Sequence, residues 1–288
     1  MRKNPALIIL SGLAVINILA WIVVYDLSKP AFLEVVFFDV GQGDAIFIET
    51  PERHQVLIDG GPDSVILEKL ARSMPFWDRT IDLIILTHPE ADHLTGLLDV
   101  LARYKVKNIL WTGVVRDTAE YQEWVKAIEK EGANIFIASS GAKIIIAGMA
   151  IKILYPLEIL EGKEMKDSNP SSIVSHLAFG KNTFLFTGDI PKSAEKELVS
   201  RENTGLDSDV LKVAHHGSKN SSSDDFIRAV LPEIAVNSAG LNNSYGHPHK
   251  EVLDVLSKYG IKIFRTDFDG DIKIIGDGNN LFYGVSNF

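Results

Sequence analysis

From residue 33 onward, short apolar runs alternate with stretches of helical spacing. The runs at 33–39, 45–49, 55–59, 83–87, 108–112 and 134–138 predict strands, and apolar positions at helical spacing predict helices over 64–72, 93–104 and 118–131. A second strand-rich half follows. Its strands are expected at 143–147 and 150–155, around Gly148-Met149, and at 173–179 and 183–187, which flank the hairpin turn Gly180-Lys181-Asn182. A helix over 192–200, strands at 210–214 and 234–237, a helix over 250–258 and a last group of strands at 261–266, 272–275 and 281–285 complete it. Two such halves predict an α/β fold of two sheets packed face to face with helices outside. No linker, repeat or low-complexity tract interrupts residues 31–288, so they are expected to form one domain.

The first thirty residues read differently. Ala6 to Tyr25 is a stretch of twenty residues without a charge, and a helix of that length, at about 1.5 Å per residue, spans the hydrocarbon core of a bilayer. Arg2 and Lys3 precede it and Asp26 follows it, so the positive-inside tendency puts the N-terminus in the cytoplasm and the rest outside. Residues 1–30 are therefore expected to be one N-terminal transmembrane helix, holding an extracytoplasmic domain at the cell membrane. A cleavable signal peptide is the rival reading; the length of the stretch and the lack of a small-x-small site near Val23-Val24-Tyr25-Asp26 count against it.

With 46% hydrophobic residues the chain has material for a sizeable core, and with no cysteine it has neither disulfides nor thiolate ligands. Imidazole and oxygen are the metal chemistry left to it. A net charge of −9 argues against an extended basic groove for duplex DNA, although divalent cations held by acidic side chains would supply positive charge where a phosphate sits.

The chemistry gathers at the ends of the apolar runs. Thr87-His88-Pro89-Glu90-Ala91-Asp92-His93 places two imidazoles and two carboxylates in one turn after a buried strand, which points to a metal site. Helix capping explains Asp92 but leaves His88, Glu90 and His93 without a reason. Thr187-Gly188-Asp189 ends another strand with a carboxylate on a sharp turn and makes Asp189 a candidate bridging ligand. Val210-Leu211-Lys212-Val213-Ala214 then runs into His215-His216-Gly217-Ser218. Side chains alternate along a strand, so one of the two imidazoles is expected to face the cleft; His216 is the choice and His215 the reserve. Ser218, Lys219, Ser221 and Ser222 are candidate phosphate donors. A third cluster, Tyr245-Gly246-His247-Pro248-His249, offers His247 as a transition-state or proton donor and His249 beside it as a substrate contact. His54 and His176 stand alone and read as structural.

These clusters, each at a strand end, resemble the metallo-β-lactamase superfamily, whose signature is H-x-H-x-D-H after a strand, with an I-D-x-G turn before it and Gly-Asp and His-Gly turns after it. Ile58-Asp59-Gly60-Gly61 matches the first turn, and Glu90 stands where the second histidine is expected. With Asp39-Val40-Gly41-Gln42-Gly43-Asp44-Ala45, Leu211–Ser218, Tyr245–His249 and Arg265-Thr266-Asp267, the chain is similar from about Glu34 onward to the C-terminal β-lactamase-like domain of the competence protein ComEC family.

The resemblance implies an αββα sandwich of two mixed β-sheets flanked by helices, holding two divalent ions. His88 and Glu90 would serve one ion, Asp92, His93 and His216 the other, and Asp189 would bridge them. Asp44 and Asp59 would orient ligands from behind. The pattern also wants a histidine near the hairpin strand, which Ser168–Ser172 does not offer and His176 does not fill. That oxygen-rich set favours Mn²⁺ or Mg²⁺ relative to an all-imidazole cage; Mn²⁺ is the choice, with Zn²⁺ and Mg²⁺ as alternatives.

The function expected is that of a membrane-anchored, metal-dependent phosphodiesterase or nuclease acting on single-stranded DNA, with Asp92 and His247 as catalytic residues. It could serve DNA uptake beside a separately encoded membrane channel. Hydrolysis of another envelope ester, phosphoester or amide, and a metal-stabilised binding module without turnover, are the alternatives.

Overall fold

The computed structural model describes residues 5–27, 32–201 and 205–286 and divides the chain into two compact units, 1–31 and 32–288. In the first unit, helix α1 runs from Pro5 to Leu27. Over the described residues no helix is long and apolar enough to cross a membrane, several side chains at the two ends of α1 lying outside that set. The anchor expected over 1–30 thus falls partly outside the described residues.

The second unit contains fifteen described strands and seven α-helices. Strands β1 (Leu33–Phe37), β2 (Ile46–Glu49), β3 (Gln55–Ile58), β4 (Thr80–Ile85), β5 (Lys105–Trp111) and β6 (Asn134–Ile137) belong to one sheet, with β14 (Asp271–Gly276) and β15 (Leu281–Ser286) added beside β1. The other sheet holds β7 (Lys143–Ile146), β8 (Met149–Tyr155), β9 (Val174–Phe179), β10 (Asn182–Phe186), β11 (Val210–Lys212), β12 (Ile234–Asn237) and β13 (Lys262–Arg265). Both sheets are mixed. In the first, β3 to β6 run parallel and the rest antiparallel; in the second, β10 to β13 run parallel and β7 to β10 antiparallel.

The period of two along the strands assigns each residue to a layer. Val35, Phe37, Ile46, Ile48, Val56 and Ile58 meet Ile151, Leu177, Phe184, Phe186 and Val236 in a core between the sheets. Their neighbours Val36, Phe38, Phe47 and Leu57 face the other way, onto α2 (Val65–Ser73), α3 (Ala91–Arg103) and α4 (Ala119–Glu131). A third core joins Leu185, Leu211 and Ala235 to α5 (Lys192–Ser200), α6 (Asp224–Val230) and α7 (Lys250–Lys258). The result is the expected αββα sandwich. Strand β5 begins three residues earlier than its apolar run, because exposed Lys105 and Lys107 alternate with buried Val106. Helix α6 and the four-residue α8 (Thr266–Asp269) were not anticipated; each is too short to show a period.

What this architecture does for function is to align strand ends. Ile58 pairs with Ile85, and Leu185 with Leu211 and then Ala235, so the turns leaving β3, β4, β10, β11 and β12 open on the same edge of the sandwich. Two glycines allow the close approach there. A Cβ on Gly96 would lie 2.0 Å from the Gly60 carbonyl oxygen, so α3 seats against the Ile58–Gly61 turn only without one. Gly43, at φ +140°, brings the 39–45 loop so close to α3 that a Cβ would sit 2.1 Å from the Asp92 carbonyl oxygen. Gly43→Ala is expected to lower stability by about 1–3 kcal/mol and to displace Asp92, which denaturant unfolding and metal titration together would register.

Candidate metal centre

Three imidazoles converge at this edge, and each is fixed from behind. Thr87 Oγ1 donates to Asp59 Oδ2 at 2.7 Å, so His88 Nδ1, 2.9 Å from that hydroxyl, must be the donor to it. His93 Nδ1 donates to Asp59 Oδ2 at 2.8 Å, and His216 Nδ1 to the Ser238 carbonyl at 2.9 Å. The Nε2 atoms of His88, His93 and His216 are buried and have no hydrogen-bond partner among the described residues. Folded chains rarely leave such atoms orphaned, and an imidazole held by one nitrogen with the other free is the arrangement metal ligands take.

The carboxylates complete the set. Asp189 Oδ2 lies 3.5 Å from His93 Nε2 and 3.3 Å from His216 Nε2, and Asp92 Oδ2 lies 3.3 Å from His216 Nε2. His88, His93 and Asp189 form one group of possible ligands and Asp92, His93 and His216 another. The donor set therefore fits a divalent ion. Asp59 directs two of its neighbours through three hydrogen bonds: it accepts from the Thr87 amide at 2.8 Å as well as from Thr87 Oγ1 and His93. It does so from a left-handed backbone (φ 59°) that non-glycine residues adopt where a site demands it.

Several expectations change in the folded chain. Glu90 joins neither group; its Oε2 accepts from Arg116 Nη2 at 2.9 Å and its Oε1 from the Ser168 amide and hydroxyl at 3.0 and 2.6 Å. It stands at the N-cap of α3, but its side chain makes no capping hydrogen bond. His215 and His216 both lie in the left-handed region (φ 49° and 53°), so the chain has already turned off β11 and the strand alternation no longer applies. Both reach Asp189, His215 at 3.8 Å from outside and His216 from within.

Ser218 and Lys219, which follow that turn, and His249, at the N-terminus of α7, are not among the residues lining the cleft, whose walls include Gln42, Glu90, Asp92, Arg116, Asn169 and Tyr245. Ser218 is buried, Ser221 Oγ donates to the Ile190 carbonyl, and His249 Nδ1 accepts from the Lys219 amide. Neither Ser218 nor Ser221 presents its hydroxyl to the cleft. His247 does line the cleft, beside His215, His216 and an exposed Tyr245. His54 and His176 lie elsewhere, on Asp82 and on the Asp207 carbonyl.

Lys212 was missed. Its ammonium is fully buried, ion-paired with Asp44 and 3.7 Å from Asp189 Oδ1, beneath the ligand cluster. A lysine inside the run Val210–Ala214 was the available signal. Burial alone would raise the Asp44 carboxyl, but Lys212 and His216 hold it at about 2. Burial, with His93 beside it, pushes His88 down to about 3. For His93 and His216 burial again favours the neutral ring and is outweighed, by Asp189 first and then by Asp92 and by Asp44 respectively, so both stay protonated well above the usual range.

An ion binding to Nε2 must displace those protons. Affinity is therefore expected to rise with pH through neutrality, and calorimetry in two buffers of different ionisation enthalpy should show one to two protons released per ion at about pH 7. A pH-independent affinity would remove His93 and His216 from the ligand set.

A profile of the metallo-beta-lactamase superfamily matches residues 38–240, the segment that carries His88, Asp92, His93, Asp189 and His216. The chain belongs to the metallo-β-lactamase superfamily. Relatives within it include ComE operon protein 3 of Bacillus subtilis, 33% identical over 83% of this chain, and competence protein ComA of Neisseria gonorrhoeae, 30% identical over 83%. The chain spans about a third of the length of these relatives. Among superfamily structures, YhfI of Bacillus subtilis shares the fold with a TM-score of 0.54 at 12% identity, over 81% of this chain and 96% of that one. The metallo hydrolase Igni18 of Ignicoccus hospitalis does so with a TM-score of 0.53 at 14% identity, over 84% and 98%. Membership in the superfamily, with competence proteins as relatives, makes this a metallo-hydrolase fold with a His/Asp cluster able to hold metal.

Proposed function

We propose that the chain is a metal-dependent phosphodiesterase that cuts single-stranded DNA. The observation that carries the reading is the convergence of three orphaned Nε2 atoms with Asp92 and Asp189 on an open cleft of about 310 Å³. The competence-named relatives support the nucleic-acid substrate. His88, His93, His216, Asp92 and Asp189 would hold the ion, which when bound supplies electrophilic activation of the phosphoryl group.

With Glu90 outside that set, three imidazoles against two carboxylates make Mg²⁺ a poorer fit than the sequence implied and leave Mn²⁺ ahead of Zn²⁺ for a mixed imidazole and carboxylate shell. Asp92, one-third exposed, orients the attacking water toward phosphorus. A water oxygen–phosphorus bond forms, the phosphorus–leaving-oxygen bond breaks, and the water proton ends on the departing oxygen. Burial and the neighbouring His216 and His215 hold His247 at about 4, so it is neutral at pH 7 and contributes an N–H hydrogen bond to that oxygen rather than a proton. His247→Gln should then slow hydrolysis about 10- to 100-fold with bound metal unchanged, as rate and metal analysis on one preparation would show. Ala6–Tyr25, uncharged and preceded by Arg2 and Lys3, is proposed to anchor the domain on the outer side of the membrane, beside a channel.

The test is cleavage of fluorescently labelled single-stranded DNA by the whole chain in detergent, stripped of metal and then given Mn²⁺, Mg²⁺ or Zn²⁺. Metal-dependent cutting supports the reading. Hydrolysis of nitrocefin or of a small phosphoester alone would replace the substrate, and no turnover by folded, metal-loaded protein would leave a binding module.

A further inference from the structure

The superfamily pattern supplies two ions, yet the ligand atoms here gather in one place. The groups His88–His93–Asp189 and Asp92–His93–His216 both need His93. Its Nδ1 is taken by Asp59, so both need the same Nε2, and one nitrogen serves one ion. Whichever group the first ion takes, a second ion would be left with two of the other's ligands, His88 with Asp189 or Asp92 with His216, and in the further group Asp44–Asp189–His216 the Asp44 carboxylate is already paired with Lys212. The residues that could have helped it are engaged: both oxygens of Glu90 are bonded to Arg116 and Ser168, and Ser172 Oγ accepts from the Asp189 amide at 3.1 Å.

What stands against Glu90 instead of an ion is a guanidinium. Arg116 is held by Glu90 and by the Met165 carbonyl, 3.2 Å from Nη1, and its side chain is only 10% exposed. It forms part of the wall of the cleft that holds Asp92, Asp189 and His216. A guanidinium has five N–H donors in a planar fork, and two are accounted for. Arg116 Nε is buried without a partner among the described residues. A fixed fork with unused donors beside a metal centre suits a tetrahedral oxyanion.

We propose that the centre holds a single divalent ion and that Arg116, set in place by Glu90 and Ser168, is the second positive group, taking the non-bridging oxygens of the substrate phosphate. The inference rests on the phosphodiesterase reading. It adds a reason for substrate class: the fork is of use to a phosphodiester and of little use to a neutral amide or ester.

The experiment is metal counting on the whole chain in detergent, loaded with Mn²⁺ and desalted, by mass spectrometry and electron paramagnetic resonance. One ion per chain with an uncoupled six-line spectrum is expected; two ions, or an exchange-coupled spectrum, overturn the proposal. Glu90→Gln, nearly isosteric, should keep the count at one, whereas a lost ion would make Glu90 a ligand and overturn it. Arg116→Gln should keep the ion and raise KM for a labelled oligonucleotide about 10- to 100-fold, with part recovered in Arg116→Lys. An unchanged KM with one ion bound overturns the role of Arg116 and leaves the phosphodiesterase reading standing. No cleavage by the wild-type chain with any ion overturns that reading, and this inference with it.

Discussion

Replacing Asp92 by Ala is expected to reduce hydrolysis by at least about 10³-fold while the protein stays folded. The separation is possible because Asp92 faces the cleft from the first turn of α3, is one-third exposed, and supports none of the hydrogen bonds that hold the turn together. Alanine suits a helix, and the first-turn carboxylate it removes is worth no more than about 1 kcal/mol to α3. Unfolding curves that superpose on the wild type, with metal affinity and turnover both lost, would bear this out. Retained turnover would take Asp92 out of the centre and leave Asp189 to hold the ion with the imidazoles.

Lys212→Met is expected to behave in the opposite way, lowering stability by about 3–5 kcal/mol. The ammonium is buried between Asp44 and Asp189, and methionine fills most of its volume while leaving two carboxylates without their cation. Adding Asp44→Asn should recover part of the loss, since the larger share comes from stranding Asp44. Saturating Mn²⁺ should recover more, because an ion on Asp189 supplies positive charge and binds the folded chain selectively. Equal denaturation midpoints for wild type and Lys212→Met would show that Asp44 and Asp189 are neutralised by something other than the lysine.

The fold was legible because its strands are covered on both faces and so stand out as short continuous apolar runs, such as 33–39 and 45–49, bounded by turn residues. His88, Asp92, His93, Asp189 and His216 could be nominated because polar residues at the end of a buried apolar run call for a partner. Glu90 obeyed the same rule. Nothing local distinguishes a carboxylate that will meet a cationic ion from one that will meet Arg116 and a serine 78 residues away. The turn at His215–His216 was hidden for a similar reason: two consecutive non-glycine residues at positive φ run against local preference and are held by the structure around them. Once the chain turns there, the loop that looked like a phosphate cradle faces Ile190 and α5 instead.

The candidate ligands come from both sheets. His88, Asp92 and His93 follow β4, whereas Asp189 and His216 follow β10 and β11, more than ninety positions later in the chain. An ion held by all five would act as a rivet through the open edge of the sandwich, joining halves that also meet there through the Lys212–Asp44 ion pair, the hydrogen bonds of Ser168 to Glu90 and the one from the Ile173 amide to the Thr87 carbonyl. Stripping the metal should therefore speed amide exchange at the ends of β4 and β11 together, while the far ends of the same strands keep their protection.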